Sequence, residues 1–293
     1  MKPSRHISPW HWLLISIGCV LILVFLLTVI GKIHISGDSV INGKKVAIVK
    51  VAGPIFNSDK IIKELDDIKE RKDVVAVVLR VNSPGGGIAP SQEIYMKIKD
   101  LNETKPVVTS MGDVAASGGY YIALGSHTIV ANPGTVTGSI GVIVNYPVVT
   151  ELMEKVGVDV ETIKSGDLKD AGSPTREVTD EDLNYFNDVV MNLHHQFVRV
   201  VAISRGLDKE VVEELADGRV YTGEQSLELG LIDTLGTFDD AIRLAGELGG
   251  IEGKPKTVEP KRRKPSLIDW LFGDKIQEVR NQFSIPRFEY RWR

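Results

Sequence analysis

Residues 74–81 read Val-Val-Ala-Val-Val-Leu-Arg-Val, apolar at every position but Arg80. A strand with one wet face alternates apolar and polar side chains. A near-continuous, β-branched run instead needs cover on both faces, as in the parallel sheet of an α/β domain. The run stops at Asn82-Ser83-Pro84-Gly85-Gly86-Gly87. The same grammar recurs along the chain. Residues 45–51 form a strand pattern, and Ser58 opens a helix with Ile61, Ile62, Leu65 and Ile68 on one face. A helix is predicted from about Pro90 to Leu101. Strands are predicted over 106–111, 128–131, 141–144 and 158–163. A short helix fits 148–156, and residues 165–175 form a loop rich in Gly, Ser, Asp and Pro. Thr179 opens a long helix to about Ser204 with three acidic residues in its first turn, and shorter helices follow at 223–228 and 239–246. Alternating strands and helices imply an α/β fold with largely parallel strands.

The amino end has another character. Residues 12–30 are uncharged and rich in Leu, Ile, Val and Phe. Nineteen residues at about 1.5 Å each approach the thickness of a hydrocarbon core. Lys2, Arg5, His6 and His11 precede the run and Trp10 and Trp12 flank it, so the amino end is expected inside and the remainder outside the cytoplasm. The run is too long for a signal-peptide core and ends without a small-x-small site, so it reads as an uncleaved anchor. The expected organisation is a cytoplasmic stub and transmembrane anchor over 1–31, a linker over 32–44, a catalytic domain over 45–251, and a tail over 252–293. That tail combines a basic, Pro-rich linker, an amphipathic stretch and an aromatic, basic end.

Composition narrows the chemistry. A formal charge of −4 gives no basic excess for nucleic acid, and the single cysteine, Cys19, excludes an intrachain disulfide and a cysteine metal cluster. The six histidines show no metal-ligand spacing apart from the adjacent pair His194 and His195, which point to different faces of a helix. Neither metal nor cofactor is expected.

Gly112-Asp-Val-Ala-Ala-Ser117-Gly-Gly-Tyr-Tyr121 follows the 106–111 strand and places one hydroxyl among alanines and glycines at the start of a helix. A serine there can serve simply as an N-cap. It also sits at the positive end of a helix dipole, where small neighbours let another chain approach, a setting for a nucleophile. The glycine loop 85–87 lies one strand-helix unit earlier, so its backbone N–H groups could meet Ser117 as oxyanion donors. A serine nucleophile needs a base. His127 is placed to point away and His194-His195 lies in the long helix. The 164–174 loop offers Lys164 and Lys169 among small residues, and the pattern of the residues does not choose between them.

These segments, with Thr137-Gly-Ser139-Ile-Gly-Val142, Lys169-Asp-Ala-Gly-Ser-Pro174, Gly218-Arg-Val-Tyr-Thr-Gly223 and Gly230-Leu-Ile-Asp233, occur in order across about 45–250. Together they resemble the signal peptide peptidase A family of membrane-anchored Ser-Lys proteases, in its short single-domain branch. The resemblance implies a Clp-protease/crotonase-like fold of repeated ββα units. It implies Ser117 as nucleophile, Lys169 as general base, Ser139 orienting the lysine, and Gly85, Gly86 and Gly118 around the oxyanion. It further implies cleaved signal peptides and other unfolded chains as substrates at the outer membrane face, and ring-like homo-oligomers in which serine and lysine can come from neighbouring subunits. The competing expectations are a non-catalytic membrane scaffold on the same fold and an acyl-CoA enzyme of crotonase type.

Overall fold

The computed structural model describes residues 20–23, 43–260 and 287–292. Most of the apolar 12–30 run and the 261–286 part of the tail lie outside the described residues. Residues 20–23 are helical, and no helix among the described residues is long and apolar enough to cross a membrane. The described residues from 44 onward form one compact unit.

The expected sheet is present. Six strands follow the order β10-β1-β2-β4-β5-β9, all parallel: Lys256–Val258, Lys45–Ala52, Val74–Ser83, Val107–Ala116, Thr128–Ala131 and Thr234–Leu235. Strand β2 shows why its sequence is apolar throughout. Val77, Leu79 and Val81 point into a core shared with helices α1 (Asp59–Lys69) and α2 (Ile88–Asn102), through Leu65, Ile68, Ile94 and Ile98. Ala76 and Val78 point the other way, against Ala241 and Ala245 of α8 (Phe238–Leu248). Both faces are dry, so no position in the strand other than Arg80 has a reason to be charged. Arg80 keeps its charge by donating to Ser110 Oγ and the Met111 carbonyl, both at 2.8 Å, with its guanidinium over the Phe238 ring.

On the edge away from β2, strand β4 serves two partners. Its first half pairs with β5 through Val108–Ser110, and its second half pairs with β6 (Val136–Gly138) through Val114–Ala116. Beyond the switch, β6 pairs antiparallel with β8 (Val220–Thr222). The strand thereby carries Ala115, Ala116 and Ser117 past the main sheet. Strand β2 likewise runs on through Ser83, opposite Ala115, into β3 (Gly85–Gly87), so both glycine-rich segments end at the same rim.

Helix α3 (Gly118–Ala123) follows Ser117 and is buried at every residue. The long helix α5 (Asp180–Arg205) begins with the expected cap: Thr179 Oγ1 accepts from Asp182 N–H while the Asp182 carboxylate accepts from Thr179 N–H.

Four expectations fail. The glycines after Pro84 are a strand rather than a loop. Ser58 precedes α1 but makes no capping bond; it sits in helical geometry and donates its hydroxyl to Glu93. Residues 158–163 form no strand; they are exposed and pair with no strand among the described residues. The chain end, read as a tail outside the domain, returns to it as β11 (Arg287–Arg291).

Tyr120 ties α3 to the far side of the domain. It is fully buried, and its hydroxyl donates to the Leu231 carbonyl at 2.8 Å. Tyr120→Phe should leave that carbonyl short of a partner, cost about 1–3 kcal/mol, and lower the melting temperature by a few degrees in a thermal scan; an unchanged melting temperature would show that water replaces the hydroxyl.

Candidate active site

Ser117 and Ser139 are the two non-glycine residues at positive φ among the described residues, at 54° and 50°. Such geometry costs on the order of 1–3 kcal/mol per residue and persists only where neighbours impose it. The neighbours are visible. Ser117 N–H donates to the Gly138 carbonyl at 2.8 Å, and Ser139 N–H donates to the Arg219 carbonyl at 2.8 Å. Because Ala116 lies opposite Gly138 in the β4–β6 ladder, the two serines leave their strands side by side. Both are buried. Among the described residues no side chain hydrogen-bonds the Ser117 hydroxyl, so it is free to act on something else.

The sequence motifs around this pair are its scaffolding. Gly138 has no room for a side chain, since a Cβ there would stand 2.6 Å from the Tyr221 ring. The 218–223 segment supplies the Arg219 carbonyl and strand β8. In the 230–233 segment, Leu231 receives the Tyr120 hydroxyl and Asp233 accepts from Ile129 N–H while pairing with Arg205 at 2.8 Å.

The glycines converge as the sequence requires. A Cβ on Gly85 would stand 2.5 Å from the Gly118 nitrogen and 2.1 Å from the Tyr290 carbonyl oxygen. One on Gly118 would stand 2.7 Å from Ser91 Oγ and 3.1 Å from that same carbonyl. One on Gly86 would strike the Ile55 carbonyl at 2.1 Å. Gly85 also has φ of +91°, a conformation that L side chains rarely adopt. The backbones of β3 and α3 thus approach each other more closely than any side chain permits, with a peptide carbonyl set between them. The Gly85 N–H itself is held by Ser83 Oγ at 3.1 Å.

A cleft of about 440 Å³ opens beside Ser139, lined by Gly141, Val142, His194, Asp217, Arg291 and Trp292 among others. The sequence pointed to neither His194 nor the chain end here. Burial, with the adjacent His195, pushes the His194 imidazole below its usual value.

Lys169 stands apart. It lies in a short 3-10 turn, Asp167–Asp170, with an exposed side chain. It hydrogen-bonds neither serine among the described residues and lines a separate shallow groove with Ser165, Leu168 and Glu181. Lys164, by contrast, is committed: its ammonium pairs with Asp170 at 2.9 Å and donates to the Asp167 carbonyl at 2.9 Å. Arg176 joins Asp170 to Asp182, and the side-chain bond from Arg176, then that from Lys164, hold the Asp170 carboxyl down to about 2. A carboxyl depressed in the folded state adds stability above its unfolded value near 3.8 and loses it as pH falls toward 2. The clasp is therefore intact at neutral pH.

Residues 99–252 match peptidase family S49. The chain belongs to this family. It is a serine protease. It is 45% identical over 218 residues to "Putative protease slr0021" of Synechocystis sp., covering 74% of this chain and 78% of that one. It is 45% identical over 190 residues to "Putative signal peptide peptidase SppA" of Enterococcus faecium, covering 64% and 55%. Chloroplastic serine protease SPPA of Arabidopsis thaliana is 36% identical over 236 residues, covering 78% and 35%. The chain therefore spans about half of the Enterococcus relative and a third of the Arabidopsis one.

Gly85→Ala and Gly118→Ala should each abolish peptide hydrolysis in a reporter assay while leaving far-UV circular dichroism unchanged, because the added methyl meets backbone or a buried hydroxyl at the rim rather than the core. An active Gly85→Ala protein would mean that the two backbones need not meet.

Proposed function

We propose that this chain is a membrane-anchored endopeptidase of Clp-protease/crotonase-like fold, with Ser117 as nucleophile, Lys169 as general base and Ser139 as the group that orients the lysine. The observation that carries the reading is the peptide carbonyl of Tyr290 set between Gly85 and Gly118, beside a serine held at positive φ. That is where a scissile carbonyl would lie.

The chemistry follows from those placements. The neutral lysine amine takes the proton from Ser117 Oγ as the oxygen attacks the carbonyl carbon. Backbone N–H groups of Gly86 in β3 and of Gly118 stabilise the oxyanion, each worth about 3 kcal/mol in sites of this kind, while Gly85, whose N–H is held by Ser83, supplies the close approach. The intermediate collapses as the lysine returns the proton to the leaving amine, and water then releases the acyl group by the same route.

Lys169 is favoured over Lys164 because Lys164 is engaged with Asp170 and Lys169 is not ion-paired among the described residues. Lys169 makes no hydrogen bond to Ser117 among the described residues, and the arm that carries it is apolar and exposed at Leu152, Val156, Val160 and Ile163. A homo-oligomer in which this arm delivers the lysine to a neighbouring copy accounts for both observations. The substrates proposed are cleaved signal peptides and other unfolded chains, since the Enterococcus relative carries that name and the rim contacts a strand through its backbone. The 12–30 run would place the domain at the outer face of the membrane.

Ser117→Ala should eliminate cleavage of an unfolded reporter by the detergent-solubilised full chain without altering its oligomer size. Lys169→Ala and Lys169→Arg should be equally inactive, because arginine stays protonated, whereas Lys164→Ala should retain activity. An active Lys169→Arg enzyme would remove lysine from the mechanism.

Protease added to cells stripped of any outer barrier should digest a carboxyl-terminal tag, while the membrane fraction keeps full-length chain. A protected tag would reverse the topology, and a mature chain beginning after Gly31 would make the apolar run a cleaved signal.

A further inference from the structure

The arm that carries Lys169 leaves the sheet after β7 (Ile143–Asn145) and ends where α5 begins. Within it, residues 164–176 fold around one carboxylate. Lys164 pairs with Asp170 from the incoming limb at 2.9 Å, and Arg176 pairs with it from the outgoing limb at 3.0 Å. Asp170 directly follows Lys169 and closes the same 3-10 turn. The backbone is fixed on both sides of the lysine. Lys169 N–H donates to the Gly166 carbonyl at 3.1 Å, and Ser173 N–H donates to the Asp170 carbonyl at 2.9 Å.

A turn held only by its own bonds would still move as a unit against the domain. Arg176 joins the two. Its Nη2 donates to Asp170 Oδ1 at 3.0 Å and to Asp182 Oδ1 at 2.8 Å, while Nη1 donates to Asp182 Oδ2 and to the Glu177 carbonyl. The Asp182 side chain is 1% exposed and belongs to the capping box of α5. Further along that helix, Phe197, Val198 and Val201 are part of the core. A continuous series of contacts thus runs from the core through Asp182 and Arg176 to Asp170, one residue from the lysine.

The join calls for arginine. A planar guanidinium spans two carboxylates at fixed angles, which a point-like ammonium cannot do. The choice carries a cost, because Arg176 Nε is buried without a hydrogen-bond partner. Neutralising the two carboxylates would not require that orphan donor; bridging them does. The side-chain bonds from Arg176 are also the first cause holding both carboxyls below their usual range.

We propose that Arg176 is a positioning residue for the hydrolytic step: by bridging Asp182 to Asp170 it fixes the Lys169 turn against α5, so that the fold rather than the freedom of a loop sets where the amine is presented. The proposal rests on the reading of Lys169 as general base. Misplacement of a reacting group by about 1 Å can cost about a hundredfold in rate, so loosening the turn acts on turnover rather than on substrate capture. Lys164 grips Asp170 from within the same arm, and its loss leaves the bridge to α5 standing.

The test measures kcat and KM on an unfolded reporter with the full chain in detergent micelles, and oligomer size by light scattering. Arg176→Gln should lower kcat at least about tenfold while KM and oligomer size stay those of the wild type. Arg176→Lys should be nearly as slow, because it keeps the charge and loses the fork. Asp170→Ala breaks the bridge from its other end and should reproduce the loss, and the double variant should be no slower than either single one, as expected of residues acting as one device. Lys164→Ala should keep a kcat near wild type. Should Arg176→Gln fail to fold, Asp170→Ala, which leaves Arg176 on Asp182, carries the same expectation. Wild-type kcat in the bridge variants, recovery by Arg176→Lys, or a loss that falls on KM or on oligomer size would overturn the proposal. Lys169→Ala is measured beside them. If it is inactive while Arg176→Gln turns over normally, the bridge alone is rejected; if it is active, the lysine base is rejected.

Discussion

The hydrogen bond from Ser117 N–H to the Gly138 carbonyl holds the site together. It joins the end of β4 to the end of β6 just where β4 has left its first partner, and it fixes a backbone conformation that a serine does not take unaided. Ser139 depends on the same arrangement, since its own N–H is held by Arg219 one strand further out. Three strands are locked in sequence, each fixing the next. The large two-faced core beneath supplies the rigidity that lets the strained turn survive.

Close backbone approach is the second organising feature. Gly85, Gly86 and Gly118 are glycines because carbonyls, a backbone nitrogen and the Ser91 hydroxyl occupy the space where a Cβ would be. What these glycines meet is backbone and one small hydroxyl, not large side chains. The aromatic box of Tyr95, Tyr121 and Phe197, which holds the Tyr290 ring, is assembled from α2, α3 and α5 rather than from the rim.

Much of this was legible in the sequence, for identifiable reasons. The unbroken apolar pattern of β2 announced a sheet covered on both sides, and small residues around Ser117 announced a turn that another chain could approach. The cap at Thr179 was visible because a capping box is a local pattern. What was not legible depended on distant partners. Residues 158–163 alternate as a strand does, but they pair with no strand among the described residues. The glycines at 85–87 look like a loop and become a strand only because β11 arrives from two hundred residues away. The period-two alternation of Phe288, Tyr290 and Trp292 was the available signal for that strand, and it was masked by the basic stretch before it. His194 reaches the cleft through the course of α5, which no local pattern specifies.

The clasp of Lys164, Asp170, Arg176 and Asp182 bears on how the arm around Lys169 behaves when it is covered. Two cations and two anions sit together there, and their formal charges cancel. A bare charge resists removal from water, but a group already neutralised by its neighbours resists far less. The apolar residues beside it, Ile163 foremost, add a surface that favours leaving water. Beside this neutral, partly greasy platform, Lys169 has no ion-pair partner among the described residues. Any surface that closes over the arm therefore has to supply a partner for that amine or leave it in contact with water.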